Sequence, residues 1–319
     1  MPLDHYVSQV HLRKFLAPEL GNRLFAMSKA TLMRFTPAPK DVCRINEGST
    51  NQYLSEPRAV EEFLKVIEPK YNSAIDSFLA SDIHDESVLA IAGFVAYVYS
   101  CSPTGMRISS VPLRASVEAT AELLDRQGML PPIPEELGAS TVKELFDRQK
   151  VRVEVDPKFP QAMGISQILH LAAQLGNFSW EVLLNNESNS PFFTSDFPIA
   201  LQPSSDPRIM NKIVPLTPTL AIRILPAFES KTSEPDFSLS RFSYRTRALR
   251  HNDVRKINEL LVRSAEDFVF FCGEHSWTSR FIERNRHFRI DSTTDRIPNP
   301  SGGEFQLSRQ QIASFQRTA

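Results

Sequence analysis

Residues 162–184, with the sequence AMGISQILHLAAQLGNFSWEVLL, contain the change of pattern that decides the fold. Apolar residues at three- and four-residue intervals predict a helix over Ala162–Leu175, and Gly176 is placed to end it. Phe178–Leu184 is short, apolar and rich in aromatic and aliphatic residues, which predicts a strand. A helical block followed by a strand-rich block is typical of α+β proteins and not of regular βαβ alternation.

The chain before this point reads as mostly helical. A possible hairpin of two short strands comes first, at Arg23–Ser28 and Thr31–Phe35. The helices predicted after it are residues 55–79 with a kink or break at Pro69, Asp85–Tyr99, Arg114–Gln127 and Thr141–Lys150. Asp85–Tyr99 is apolar nearly all round, so we expect it to be buried on most faces.

The chain after Gly176 reads as strand-rich, with one clear helix at Asp253–Ser264 and an amphipathic segment that opens at Trp277. Further strands are predicted at Phe192–Thr194, Ile199–Gln202, Lys212–Val214, Ala221–Leu225 and Phe268–Cys272. We expect the helices to pack on one mixed, mostly antiparallel sheet. Residues 1–297 then form a single domain with an N-terminal part (1–54), a helical block (55–176) and a strand-rich block (177–290), and residues 298–319 form a loose tail.

Glycine is scarce, with 11 residues in 319. Loops that cradle phosphates need closely spaced glycines, because only a residue without Cβ lets backbone N–H groups converge on a ligand. The closest pair, Gly302–Gly303, lies in the tail, and neither GxxxxGK[ST] nor GxGxxG occurs. The sequence therefore excludes these nucleotide-binding loops and leaves any cofactor unknown.

The net charge of -1 provides no global field for nucleic acid or an anionic membrane. A site for an anionic ligand or nucleic acid would have to be local, and the best candidates are the arginine-rich stretch Arg241–Lys256 and the four arginines between Arg280 and Arg289. An ordinary solvated surface explains the same residues without any ligand.

Cysteine and histidine spacing gives no metal motif. The three cysteines are far apart in the sequence, and the seven histidines contain no HxxxH, HExxH or HxH pair. The sequence has no signal-peptide pattern and no apolar run long enough to span a bilayer, and its cysteines are expected to be free thiols. These features predict a cytoplasmic protein without a membrane partner.

A first candidate site is the polar segment His5–Phe15, HYVSQVHLRKF. His5, Gln9 and Arg13 are four residues apart, so they share a face in a helix and also in a strand. Arginine offers a fork of donors for an anion and histidine can carry a proton near pH 7. The alternative is that these groups bond backbone carbonyls and anchor the N-terminus.

A second candidate is Phe192–Pro198, FFTSDFP. It places Ser195 and Asp196 where a strand ends, which is a common position for ligand-binding groups. Asp196 could orient His5 or act as a general base, and Ser195 could donate a hydrogen bond or act as a nucleophile. The alternative is a turn in which these side chains bond nearby backbone before Pro198.

Both segments resemble motifs of the bacterial domain of unknown function 4238 family: His-Tyr-Val-Pro-Gln-x-x-Leu-Arg-x-Phe and Phe-Ile-Thr-Ser-Asp-Asn-Pro-Val. The departures are Ser8 where the family has Pro and Phe197 where it has Asn. The resemblance covers roughly residues 4–272. It implies that the family's polar motif positions are His5, Gln9, Arg13, Ser195, Asp196 and Asn258, and it implies no particular reaction.

Three hypotheses about function follow. In the first, the chain is a hydrolase, such as a nuclease-like phosphodiesterase, with His5 and Asp196 (and less favourably Ser195) as catalytic residues and Gln9, Arg13 and Asn258 binding the substrate. In the second, the same polar cluster recognises a ligand or partner without catalysis. In the third, both motifs brace the N-terminus against the sheet.

Overall fold

Helices dominate the first half of the chain and strands the second, in a computed structural model that describes residues 2–206, 208–227, 234–299 and 304–316. The α+β class is therefore confirmed. The helices are α1 (Gln9–Leu12), α2 (Ala59–Ile67), α3 (Tyr71–Ala80), α4 (Asp85–Cys101), α5 (Pro103–Arg126), α6 (Val142–Asp147), α7 (Lys158–Ser166), α8 (Ile168–Gly176), α9 (His251–Ser264) and α10 (Thr278–Asn285). The strands are β1 (Leu3–His5), β2 (Phe25–Ser28), β3 (Arg34–Phe35), β4 (Arg44–Asn46), β5 (Ser179–Asn185), β6 (Thr194–Ser195), β7 (Ala200–Pro203), β8 (Met210–Pro215), β9 (Leu220–Leu225), β10 (Ser243–Leu249), β11 (Phe268–Phe271), β12 (Phe288–Pro298) and β13 (Glu304–Ser314).

Helix α4 is the centre of the helical layer. Nearly all of its side chains are buried, as its apolar sequence predicts, and α2, α3, α5, α7 and α8 pack around it. Among the described residues no single helix has the length and hydropathy needed to cross a membrane; α4 and α5 pass that test only as a pair, and they are bent by 64° at their junction.

Two helices differ from their predicted bounds. Helix α5 begins at Pro103, because Ser102 caps it by accepting a hydrogen bond from the Gly105 N–H at 3.0 Å, and it continues through Pro112. A Cβ at Gly105 would lie 1.9 Å from the Tyr99 carbonyl oxygen, so this close approach requires glycine. The helix predicted over Ala162–Leu175 is two helices, α7 and α8, which both pack against α4.

The main sheet has five strands in the order β10-β5-β9-β8-β7. All pairs are antiparallel except β10 with β5, which is parallel, so the sheet is mixed as predicted. The edge strand β10 was not predicted. Its side chains are almost all exposed, and its buried anchor is an ion-pair network in which Glu181 of β5 binds Arg245 of β10 and Arg223 of β9.

A second sheet has the order β3-β2-β11-β6 and is antiparallel at every pair. Strands β6 and β11, predicted as part of one sheet with the others, lie here because the N-terminal β2–β3 hairpin pairs with β11. This sheet joins the N-terminal part of the chain to the second candidate motif.

Residues 304–314, predicted to belong to a loose tail, form strand β13 instead. The strand pairs with β12 over eleven residues and the ribbon packs on α5. Polar side chains such as Gln306, which bonds the Ala115 carbonyl at 2.9 Å, hold it there, and this explains why apolar patterning did not reveal it.

Candidate functional site

The N-terminal candidates His5 and Gln9 line one surface cavity of about 490 Å³. His5 ends β1 and Gln9 begins α1, so the two residues meet at a junction and not on one regular element. The charged side chains that also line the cavity are Asp4, Glu61, Lys65 and Glu68. Two of the three carboxylates, Asp4 and Glu61, form ion pairs with Arg58 at 3.2 Å, so the cavity has no excess of positive charge for the anion that the sequence predicts.

The His5 imidazole is partly buried, and its Nε2 atom has no hydrogen-bond partner among the described residues. Burial lowers the pKa of His5, and hydrogen bonds to the backbone of Pro39 and Lys40 oppose that effect. The net shift favours the neutral imidazole. Its role in proton transfer stays a prediction.

Arg13 is exposed and does not appear among the described residues that line this cavity. Its Nη2 atom donates to Oε1 of Gln9 at 3.2 Å, which is the contact expected for helical residues four apart. His5 does not take part in this contact, so His5, Gln9 and Arg13 do not form the predicted row of three side chains.

His11, which the sequence analysis did not select, connects the two motifs. It is fully buried; its Nδ1 lies 2.7 Å from the Tyr71 hydroxyl and its Nε2 lies 2.7 Å from Oγ1 of Thr194. The ring also stacks on Phe94, with centroids 4.8 Å apart. Burial lowers the pKa of His11 to about 3, so this ring is a neutral bridge.

Thr194 and Ser195 form β6 and pair with Phe270 and Val269 of β11. The Ser195 hydroxyl is buried and accepts a hydrogen bond from the Phe197 N–H at 3.2 Å. This is the local turn that the sequence analysis gave as the alternative to a ligand role.

Asp196 is buried, and both of its carboxylate oxygens accept backbone hydrogen bonds. Glu266 N–H donates to Oδ1 at 3.0 Å, and the N–H groups of Asp267 and Phe268 donate to Oδ2 at 2.7 and 3.0 Å. Burial raises the pKa of Asp196 to about 7, while the N–H donors oppose that rise. These contacts fix the turn between α9 and β11.

Asn258 on α9 is also buried, and both the oxygen and the nitrogen of its side-chain amide form hydrogen bonds with backbone groups. Its Oδ1 accepts from the Phe193 N–H at 3.0 Å and its Nδ2 donates to the Pro191 carbonyl at 2.8 Å. The side chain thereby holds the strand segment before Thr194 against α9.

The predicted site residues thus occupy two settings. His5 and Gln9 line a surface cavity, whereas Ser195, Asp196 and Asn258 bond backbone in the interior. Of the contacts described here, the His11–Thr194 hydrogen bond links the N-terminal motif to the second motif, and the brace of the third hypothesis stays a prediction. The catalytic and substrate-binding roles of these residues stay predictions.

A different cavity, also of about 490 Å³, lies between α9 and α10 and concentrates positive charge. We call it the arginine pocket; its lining residues are Ser190, His251, Arg255, Asn258, Ser276, Trp277, Arg280, Phe281 and Arg284. Within the described residues, no acidic side chain lines it, and none of its three guanidinium groups has an ion-pair or hydrogen-bond partner.

Helical spacing explains why these charges converge. His251 and Arg255 are four residues apart on α9, Arg280 and Arg284 are four apart on α10, and the two helices pack together. Like charges at this spacing disfavour a helix by a few tenths of a kcal/mol, about 0.2–0.5. The pair on α10 is thus not explained by helix stability.

Aromatic rings form the floor of the arginine pocket. Trp277 stacks on Phe193 with centroids 5.5 Å apart and meets Phe281 edge-on at 5.6 Å. Because Asn258 and Phe193 bond each other, the second motif supports this floor from below. The sequence analysis noted the arginines but had no means to place α9 beside α10.

The fold and these sites define an α+β protein in which buried polar side chains bond backbone in the interior and three arginines line a basic surface pocket. The chain belongs to the family described as "Protein of unknown function (DUF4238)", whose model matches residues 4–275, most of the chain. No curated protein and no solved structure matches it. Trp277, Arg280 and Arg284 follow the end of the family match, while Arg255 and Asn258 lie within it.

Proposed function

We propose that this chain is a binding module for a small anionic ligand that carries phosphate, and that the arginine pocket is its binding site. One observation carries the proposal: Arg255, Arg280 and Arg284 converge on one cavity without any described acidic partner. Guanidinium groups bind phosphate through two parallel hydrogen bonds, and such charge-assisted bonds are about twice as strong as neutral ones.

The size and shape of the cavity support a small molecule. A volume of about 490 Å³ is in the range typical of small-molecule sites. Three cations suit a ligand with two or three negative charges, and the aromatic floor gives it an apolar contact. The net charge of -1 on the whole chain makes extended nucleic acid the less favoured ligand.

The test is calorimetric titration of the full chain with inorganic pyrophosphate, in parallel with a single-stranded oligonucleotide. We expect saturable binding of pyrophosphate and at least tenfold weaker binding by Arg255→Gln, because a hydrogen bond to a charged group contributes about 1.5–3 kcal/mol. Arg152→Gln is the matched control, since Arg152 is exposed and has no partner among the described residues. Binding of the oligonucleotide alone, or equal binding by both variants, would contradict the proposal.

Hydrolysis of an anionic ester is the second candidate, because His251 lies one turn before Arg255 on the same helix and lines the same pocket. An imidazole beside bound phosphate is suited to proton transfer. Assays with bis(4-nitrophenyl) phosphate and with nucleic acid should include His251→Asn together with His5→Ala and Asp196→Ala. Loss of turnover in His251→Asn alone favours the arginine pocket, and loss in a folded His5→Ala favours the cluster predicted from the sequence.

A further inference from the structure

A groove of about 1080 Å³ lies between the helical layer and the main sheet, with β13 as one wall. It shares no residue with the arginine pocket. Its lining is largely apolar and includes Ile108 and Leu113 of α5, Met163 of α7, Met210 of β8 and Leu307 of β13. Among the described residues, no acidic side chain lines it.

Lys212 of β8 lines this groove and is only partly exposed. Its Nζ atom lies 5.8 Å from the centroid of the Tyr99 ring, and no described carboxylate or carbonyl oxygen is bonded to it. The other charged lining residues, Arg208 and Arg309, are cations that pair with aspartates at 2.6 and 2.8 Å. Lys212 therefore has an aromatic face and an apolar cavity around it, and no counter-ion within the part of the chain that the structure describes.

Desolvation in the apolar groove favours the neutral amine and outweighs the attraction of the Tyr99 ring face for the ammonium form. Burial lowers the pKa of Lys212 to about 8, so roughly a tenth of the side chains carry a free lone pair at pH 7, far more than for an ordinary lysine. Lysines desolvated in this manner are nucleophiles toward carbonyl carbon.

We propose that Lys212 is a carbonyl-reactive lysine and that the groove takes an apolar aldehyde as its ligand. The Nζ lone pair forms a C–N bond to the carbonyl carbon, and a proton moves from nitrogen to oxygen to give a carbinolamine. The C–O bond then breaks, and the oxygen leaves as water with the second amine proton. The product is an imine, formed without an oxidant or reductant. An apolar aldehyde suits the groove because the walls offer hydrocarbon contact and the reacting carbon needs only the amine.

The test is reductive trapping on the full chain with octanal and sodium cyanoborohydride at pH 7, followed by peptide mass spectrometry. We expect the adduct to form at Lys212 at least ten times faster than at Lys150, which is exposed and has no described side-chain partner. Octanal should also label Lys212 faster than propanal does, because only the longer chain fills the apolar groove. Labelling of Lys150 at the same rate, or equal labelling of Lys212 by both aldehydes, would overturn the proposal.

Two variants make the result specific. Lys212→Arg keeps the charge and removes the nucleophile, so the fast adduct should disappear while the melting temperature is retained. Tyr99→Phe keeps the ring under Nζ and removes a buried hydroxyl that has no hydrogen-bond partner, so the fast labelling should remain. A fast adduct that persists in Lys212→Arg would place the reactive amine elsewhere and overturn the assignment.

Discussion

Several polar side chains in the interior hydrogen-bond to backbone or link separate elements. Their sequence pattern alone does not distinguish this structural role from a catalytic one. Asp196 and Asn258 each bond two or more backbone groups, and His11 joins Tyr71 to Thr194. A buried backbone N–H without a partner costs free energy comparable to a lost hydrogen bond. These residues therefore stabilise the fold around the arginine pocket.

We expect Asp196→Ala to lower the free energy of unfolding by about 3 kcal/mol or more, because three buried N–H groups lose their acceptor. Urea denaturation measures the change. Asp76→Ala is the matched control: Asp76 is exposed, has no described partner, and its replacement should change stability by less than about 0.5 kcal/mol. Similar stabilities of the two variants would show that Asp196 does not hold the α9–β11 turn.

The buried His11 gives a second expectation, about pH. Its pKa is about 3 in the folded chain and 6.5 when exposed, so the unfolded chain takes up a proton first as the pH falls. The contribution of His11 is complete above pH 6.5 and is lost toward pH 3, at up to about 1.4 kcal/mol per pH unit. The stability difference between wild type and His11→Gln should therefore shrink from pH 7 to pH 4 in denaturant titrations. A difference that is constant with pH would mean that His11 has the same pKa in the folded and the unfolded chain, which contradicts a pKa lowered by burial.

At the residue scale, sequence reasoning drew attention to two segments but did not predict the contact by which His11 and Thr194 join them. Even spacing drew attention to His5, Gln9 and Arg13, because neighbours along a helix or strand are visible in a sequence. His11 was passed over because its partners Tyr71 and Thr194 are 60 and 183 residues away. Contacts over such separations depend on the fold.

Secondary structure elements were predictable where they bury an apolar face. The helix α4 and the break at Pro69 follow directly from periodicity and proline. Strands β10 and β13 were missed because their side chains are mostly exposed and polar. Their backbone pairing and ion pairs, which leave little trace in hydropathy, hold them in place.

The exposed edge strand β10 depends on one buried carboxylate. Glu181 is 2% exposed and binds Arg245 on β10 and Arg223 on β9. We expect Glu181→Gln to speed amide hydrogen exchange across Ser243–Leu249, because the neutral amide leaves two guanidinium groups beside each other without a counter-charge.

Exchange in β11, which lies in the second sheet away from this network, should be unchanged, and Glu154→Gln, at an exposed carboxylate without a described partner, should leave both strands unaffected. Unchanged exchange in β10 of Glu181→Gln would show that backbone pairing alone retains the edge strand.

The whole molecule separates two kinds of polar surface. The cavity at His5 is mainly acidic, whereas the arginine pocket is basic, although the chain has a net charge of -1. Average composition hides this separation, so the sequence alone could indicate a local anion site but could not predict which residues the fold brings together there.

Salt screens exposed charges, and raising ionic strength from about 0.01 to 0.1 M shortens the Debye length from about 30 to 10 Å. Pyrophosphate affinity should therefore fall with added salt, as calorimetry at several NaCl concentrations can measure; an affinity independent of salt would argue against binding by exposed arginines.

The most direct measurement of anion binding uses tryptophan fluorescence, since the chain has two tryptophans and only Trp277 lines the arginine pocket, while Trp180 is buried in the core. Titration of the wild-type chain with pyrophosphate should give a saturable change of emission. That change should be absent in Trp277→Phe. In Arg280→Gln, the pyrophosphate concentration at half-saturation should be at least tenfold higher than in wild type, and in Arg152→Gln it should equal that of wild type. A wild-type emission that does not respond, or a response that is the same in Arg280→Gln, would contradict the account.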